Sequence, residues 1–239
     1  MTGENFDFSG RIGQDGEVGS SPTENGSTGA PGRDAECKPV FSFQTDDPPS
    51  HGGRGGDGLS GGNGGPGSDG GDGAIFELFV EVLGSGLVFD MSGGRGGNGG
   101  KGGNGTAGGK GGTGGDGGGC EPSGLGGAGG TGGNAGNGGP AGNGGNAGHL
   151  YVYYVTDQSA ANPAEVNSSS GEPGTPGVSG DPEIGGAVGN NGPVSNYSVA
   201  QWDPGSPKQP GASGQAGIAG AVGQSGDPGN VVWQQVPTI

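Results

Sequence analysis

Apolar and polar positions alternate along five short stretches of this chain, and tracts with a different period separate them. The stretches are "VFSF" (Val40–Phe43), "AIFELFVEVLGSGLVFDM" (Ala74–Met91), "LYVYYVT" (Leu150–Thr156), "NYSVAQW" (Asn196–Trp202) and "NVVWQQV" (Asn230–Val236). All are rich in β-branched and aromatic residues and bounded by Gly, Pro or Asp, a pattern that predicts strands. In the longest, Phe76, Leu78, Val80 and Val82 form a wholly apolar face, whereas Ile75, Glu77, Phe79, Glu81 and Leu83 make a half-apolar one. Gly84-Ser85-Gly86 then predicts a hairpin into Leu87–Phe89.

Between these stretches glycine recurs at every third position, over Gly52–Gly73, Gly93–Gly117 and Gly124–Gly148. In the middle tract the next position is also Gly, except Thr106, and the third slot reads Arg95, Asn98, Lys101, Asn104, Ala107, Lys110, Thr113, Asp116. The tract from Gly124 has Gly or Ala in its second slot. Weaker versions begin at Gly10, Gly171 ("GEPGTPGVSG") and Gly211, with one Gly per triplet and more Pro; Gly26, Gly29 and Gly32 follow the first of them out of phase.

A period of three fits neither α-helix nor strand, but matches the extended left-handed helix with three residues per turn. Two bare faces let neighbouring backbones approach closely, and the free N–H and C=O groups bond to neighbours. The third slot, with Arg95, Asn98 and Lys101, then lines an exposed face. The expected fold is all-β/irregular: a polyglycine II helix bundle layered with short strands, with little or no α-helix. Tracts start at Gly10, Gly52, Gly93, Gly171 and Gly211, which suggests a quasi-repeat of about 40 residues. Three segments follow from composition: 1–50 (N-terminal strand and collagen-like), 51–156 (polyglycine II and strand core) and 157–239 (Gly-x-y tracts with C-terminal strands).

Composition sharpens this picture. Of 239 residues 71 are Gly and 18 Pro, and only 26% are hydrophobic, too few for an ordinary core. Backbone hydrogen bonding must therefore carry much of the fold, since ordering each residue costs about 1–2 kcal/mol of backbone entropy. A net charge of −16 argues against nucleic acid and anionic membrane surfaces. No stretch approaches the roughly 20 apolar residues of a membrane span, and "MTGENFDFSGRIG" does not read as a secretory signal. Cys37 and Cys120 either close a disulfide or remain two free thiols.

Chemical motifs dissolve in this glycine background. G-x-G-x-x-G matches abound, but none opens an amphipathic helix after a strand. "GGTGGD" at Gly111–Asp116 fits the start of a calcium nonapeptide, yet Gly118 stands where a large apolar residue belongs. No cofactor is expected beyond incidental calcium on loop carboxylates. His51 and His149 sit at tract junctions, Asn-x-Ser/Thr sequences at Asn25, Asn104, Asn167 and Asn196 read as compositional, and no catalytic constellation can be assembled. No enzyme is expected.

The runs "GGRGGNGGKGGNG" and "GGAGGTGGNAGNGGPAGNGGNAG" resemble those of bacterial Gly-rich, collagen-like surface proteins, which alternate such tracts with strands like "HLYVYYVTD". They are also similar to the glycine domains of PE_PGRS proteins, to springtail antifreeze protein and to phage tail-fibre tip adhesins. The resemblance implies a shared fold principle over roughly Gly52–Gly148 and no transferable catalytic residue.

The first functional expectation is a self-assembling subunit of an extracellular fibre or surface layer. Its contact strands would be Phe6 and Phe8 at one end and Val231, Val232 and Trp233 at the other, offered as edges. The second is an adhesin that contacts a cell-surface receptor or glycan through the loops Asp157–Ser170 and Ser195–Pro210, the latter with Tyr197 and Trp202. Ice binding is a remote third, because the third-slot residues mix Arg, Lys, Asn, Asp and Thr.

Overall fold

A computed structural model describes residues 4–39, 41, 44–160, 162–193 and 208–238. There is no α-helix among them. Six strands lie in two parallel sheets: β1 (Asn5–Asp7), β3 (Val88–Asp90) and β5 (Glu165–Asn167) in order β1-β3-β5, and β2 (Ile75–Leu83), β4 (His149–Asp157) and β6 (Val231–Gln235) in order β2-β4-β6. The expected "VFSF" strand is described only at Phe41, which lies exposed in a turn; Val40, Ser42, Phe43 and all of Asn196–Trp202 lie outside the described residues.

Six glycine runs occupy most of the rest of the described chain: run 1 (10–34), run 2 (50–73), run 3 (93–117), run 4 (124–148), run 5 (168–192) and run 6 (209–229). Odd runs lie parallel in one layer, where the Gly13 N–H donates to the Arg95 carbonyl (2.8 Å) and the Gly96 N–H to Glu172 (2.8 Å). Even runs form a second layer in the same way, with Gly55 donating to Ala128 (2.9 Å) and Gly132 to Ala212 (2.8 Å). Antiparallel bonds stitch the layers: Gly220 donates to Gly177, Gly177 to Gly139, Gly139 to Gly100, Gly100 to Gly65 and Gly65 to Glu17. Each odd strand feeds an odd run and each even run ends in an even strand, so the sheets continue the two layers at one end. Hydrogen bonds connect all three compositional segments.

Glycine content follows directly from this layout. Runs 2, 3 and 4 each donate in two directions: run 2 to runs 1 and 4, run 3 to runs 2 and 5, run 4 to runs 3 and 6. Runs 1, 5 and 6 donate in one direction, to runs 3, 4 and 5. The first group carries two glycines per triplet and the second one, with few exceptions. A Cβ on donor-slot Gly99 would overlap the Gly139 carbonyl oxygen and the Gly177 amide, so a side chain there excludes the neighbour.

The phase shift at Gly26 also has a cause. Gly19 donates to Lys101 but Gly26 to Ala107, so seven residues of run 1 span six of run 3. The extra residue lies in Ser20–Asn25, opposite Thr106 and Leu59; Thr106 occupies a slot of run 3 that is otherwise glycine, and Leu59 a slot of run 2 that is otherwise glycine or serine. The Leu59 N–H donates to the Thr106 hydroxyl (2.8 Å), and Thr106 is buried. One added residue relieves two oversized ones.

Between the sheets lie Leu83, Leu87, Phe89, Met91, Leu150 and Val152, all buried, each worth about 1.5–3 kcal/mol of transfer free energy. The hairpin expected at Gly84–Gly86 is corrected: β2 and β3 belong to different sheets, and the chain crosses the closed end of the sandwich there. That crossing also reverses the end of the apolar face, since Leu83 turns into the core and Val82 is left exposed. Phe6 lies on β1, the edge strand of its sheet as expected, and Phe8 just beyond it. Their rings stack on Phe76 (centroids 6.2 and 4.4 Å) and Phe6 stacks on Phe89 (5.1 Å), so they fill the sandwich and are not offered outward.

Candidate interaction surfaces

Three surfaces carry the molecule's contact chemistry: the outward third slots, the lateral edges of the layers, and the outer face of the β2-β4-β6 sheet. The third slot is not simply solvated. Asn98 accepts the Thr175 N–H at Oδ1 (2.9 Å) while its own N–H donates to Asp15 (2.7 Å), which links runs 1, 3 and 5. In the even layer Asn63 accepts from Asn137 (2.9 Å), and Asn137 accepts from Ile218 (3.0 Å). His51 and His149 play the same part, their Nδ1 atoms accepting from Leu125 (2.9 Å) and Asn230 (3.0 Å). These side chains satisfy many of the third-slot amides that the backbone network leaves over. Arg95 and Lys101 point outward as expected.

Asp57 joins this ladder as acceptor of the Thr131 N–H (2.7 Å) and also pairs with Arg54 (2.5 Å). The Arg54 hydrogen bond, then those from Thr131, hold its carboxyl well below the usual carboxylate range. At each odd strand–run junction a further motif recurs. Asp7, Asp90 and Asn167 accept, at Oδ1, both the N–H and the hydroxyl of Ser9, Ser92 and Ser169. "DFSG", "DMSG" and "NSSSG" were the available signal for it in the sequence. These bonds, the Ser9 hydroxyl first, lower the Asp7 carboxyl.

The two edges of the layers differ. In run 3 the slot that donates to the next run of its layer is Gly throughout, as at Gly93, Gly96 and Gly99. In runs 5 and 6 the amide of the corresponding slot has no further run to meet among the described residues. The slot holds Pro173, Pro176, Pro182, Pro210 and Pro228, with side-chain-bearing residues at most of its other positions, half-buried against run 6 in most of run 5 and exposed in most of run 6. Proline has no N–H, so at these five positions the edge cannot donate to a seventh run. The sheet edges are guarded too: β2 carries Glu77 and Glu81, and Pro237 follows β6.

The outer face of the β2-β4-β6 sheet is of another kind. Strand register sets Ile75 beside His149, Glu77 beside Tyr151 and Val232, and Phe79 beside Tyr153 and Gln234. Phe79 and Tyr153 stack with centroids 4.8 Å apart and planes 13° apart. Ile75 is 68% exposed and Phe79 56% exposed. No Lys or Arg occurs in these three strands. The half-apolar face of β2 is thus the exposed one.

Of the residues expected to make subunit contacts, Val232 lies on this outer face. Val231 packs on the core, and Trp233 meets Phe89 edge to face (6.4 Å) while staying 37% exposed. Tyr197 and Trp202 lie outside the described residues. Cys37 and Cys120 are joined in a disulfide, Cα atoms 5.8 Å apart, tying the loop after run 1 to the loop after run 3 at the end remote from the sheets. Among the described residues no three His, Cys, Asp or Glu side chains converge on a metal-sized site, and no helix is long and apolar enough to cross a membrane.

No protein-family model matches the chain, and no curated protein does. Among solved structures, a nine polyproline type II helical bundle springtail antifreeze protein from Granisotoma rainieri is 26% identical, with 77% of this chain and 97% of that one covered. The TM-score is 0.10, and at that value the likeness carries no argument.

Proposed function

We propose that this chain is a non-enzymatic extracellular or surface-displayed binding module. Its glycine runs are polyglycine II helices, and the spacing of about 40 residues corresponds to one run with its strand or loop. The observation that carries the reading is the exposed aromatic face of the β2-β4-β6 sheet, held on a hydrogen-bonded slab that fixes its geometry. The Cys37–Cys120 disulfide suits an oxidising compartment, and the net charge of −16 keeps nucleic acid from being the partner. Labelled protein applied to intact cells or extracellular matrix should be retained, and Phe79→Ala should release it. Retention that ignores Phe79 would refute the face as the binding element.

Self-assembly into a fibre or surface layer is the second reading, favoured by the open outer edges of β1 and β2. Glu77 and Glu81 on β2 and the prolines of runs 5 and 6 weigh against it. Electron micrographs of concentrated protein separate the two: filaments support assembly, and monodisperse particles support the binding module.

A further inference from the structure

We infer that the outer face of the β2-β4-β6 sheet takes an uncharged polysaccharide. This rests on the binding-module reading above and names its ligand class. Phe79 and Tyr153 form one stacked aromatic pair, with Tyr151 two residues along β4 on the same face. The C–H-rich faces of pyranose rings pack on such rings, and an exposed sheet face accommodates an extended chain of them. Glu77 and Glu81 flank Phe79 along β2, at Cβ positions on the same side of the strand. Their carboxylates accept hydrogen bonds from sugar hydroxyls, as does Gln234 through its amide oxygen.

Charge decides among the occupants. The three strands carry two glutamates and no Lys or Arg, so an anionic glycan or nucleic acid meets repulsion without compensation. A second copy placed face to face would bring together two glutamate-bearing faces that carry no Lys or Arg, on molecules each bearing −16. A neutral chain escapes both penalties. Its binding is also insensitive to salt, unlike that of a basic peptide.

The test is retention of the purified protein on microcrystalline cellulose and on chitin, with affinity electrophoresis through a soluble neutral β-glucan and through heparin. Binding to at least one neutral polymer is expected, unchanged between low and high NaCl. Phe79→Ala and Tyr153→Ala should each weaken it about tenfold, while Phe41→Ala, an exposed ring far along the chain, leaves it intact. Circular dichroism and melting of each variant confirm folding, and the milder Tyr153→Leu serves where Tyr153→Ala melts early. Absence of binding to every neutral polymer overturns the inference, as does binding that survives loss of both rings. Sedimentation as a dimer that Phe79→Ala dissociates also overturns it, in favour of a second copy. If Phe79→Ala abolishes cell retention while no neutral polysaccharide binds, the ligand class fails and the binding-module reading stands.

Discussion

Run 3 and run 6 obey the same three-residue period but solve different problems. Run 3 is bonded to four neighbours and donates to two of them, and it has glycine in two slots of nearly every triplet. Run 6 is bonded to runs 4 and 5 and donates to one, and glycine holds a single slot while Pro, Ser, Ala and Val take the outward one. Glycine is therefore spent where a backbone must approach at an amide, and withheld where the slab should stop. The comparison shows that the collagen-like texture of the outer tracts marks the rim of the same architecture, with no need for a separate fold.

The largest effect should come from filling an interior donor slot. Gly99→Val places its side chain in the backbone of runs 4 and 5, and should cost about 3 kcal/mol or more by thermal or denaturant melting. Asn98→Val, one residue away, should cost about 1 kcal/mol, the loss of one acceptor. Reduction of Cys37–Cys120 comes next, at about 2–5 kcal/mol. Its effect on amide exchange should concentrate at the loop ends of runs 1 to 4, which the disulfide joins, and spare run 6.

Asn137→Ala tests the side-chain ladder. It removes the acceptor of the Ile218 N–H and should lower stability by about 1 kcal/mol, with faster exchange at Ile218. At the rim, Ala219→Val fills the slot equivalent to Gly99 and should change stability by no more than about 0.5 kcal/mol. The smallest effect is acid dependence at Asp57. Its folded pKa lies below the unfolded value, so its contribution is complete above the ordinary carboxylate range and is lost as pH falls through the folded pKa. Asp57→Asn should flatten that acid limb slightly in a melting series, since the carboxylate is exposed.

Much of this was legible in the chain. The Gly-Gly-x tracts marked the most enclosed runs, and the slot pattern identified Gly99 as a packing surface and Arg95 as an outward residue. Alternation in β2 separated a core face from a half-apolar one. Other features were not legible, for physical reasons. Alternation tells which face of a strand is apolar but not which sheet the strand joins, so β2 and β3 read as a hairpin. The edge position of β1 was legible in its sequence, but the inward packing of Phe6 and Phe8 depends on Phe76 and Phe89 far along the chain. Asn98 read as solvated because its acceptor role exists only once a parallel run lies beside it. The Asp-x-Ser junctions were visible but are short enough to be lost among other Ser and Gly.

Hydrogen exchange of individual amides by NMR tests the donor-slot rule most directly. In run 3 the rule predicts slow exchange at Gly96, Gly97, Gly99 and Gly100, with Asn98 slowed by Asp15 and Lys101 fast. In run 6 it predicts slow exchange at Gly214 and Gly220, and fast exchange in the outward slot at Ser213, Ala216, Ala219 and Val222. Uniform protection along both runs, or protection without a three-residue period, would contradict it.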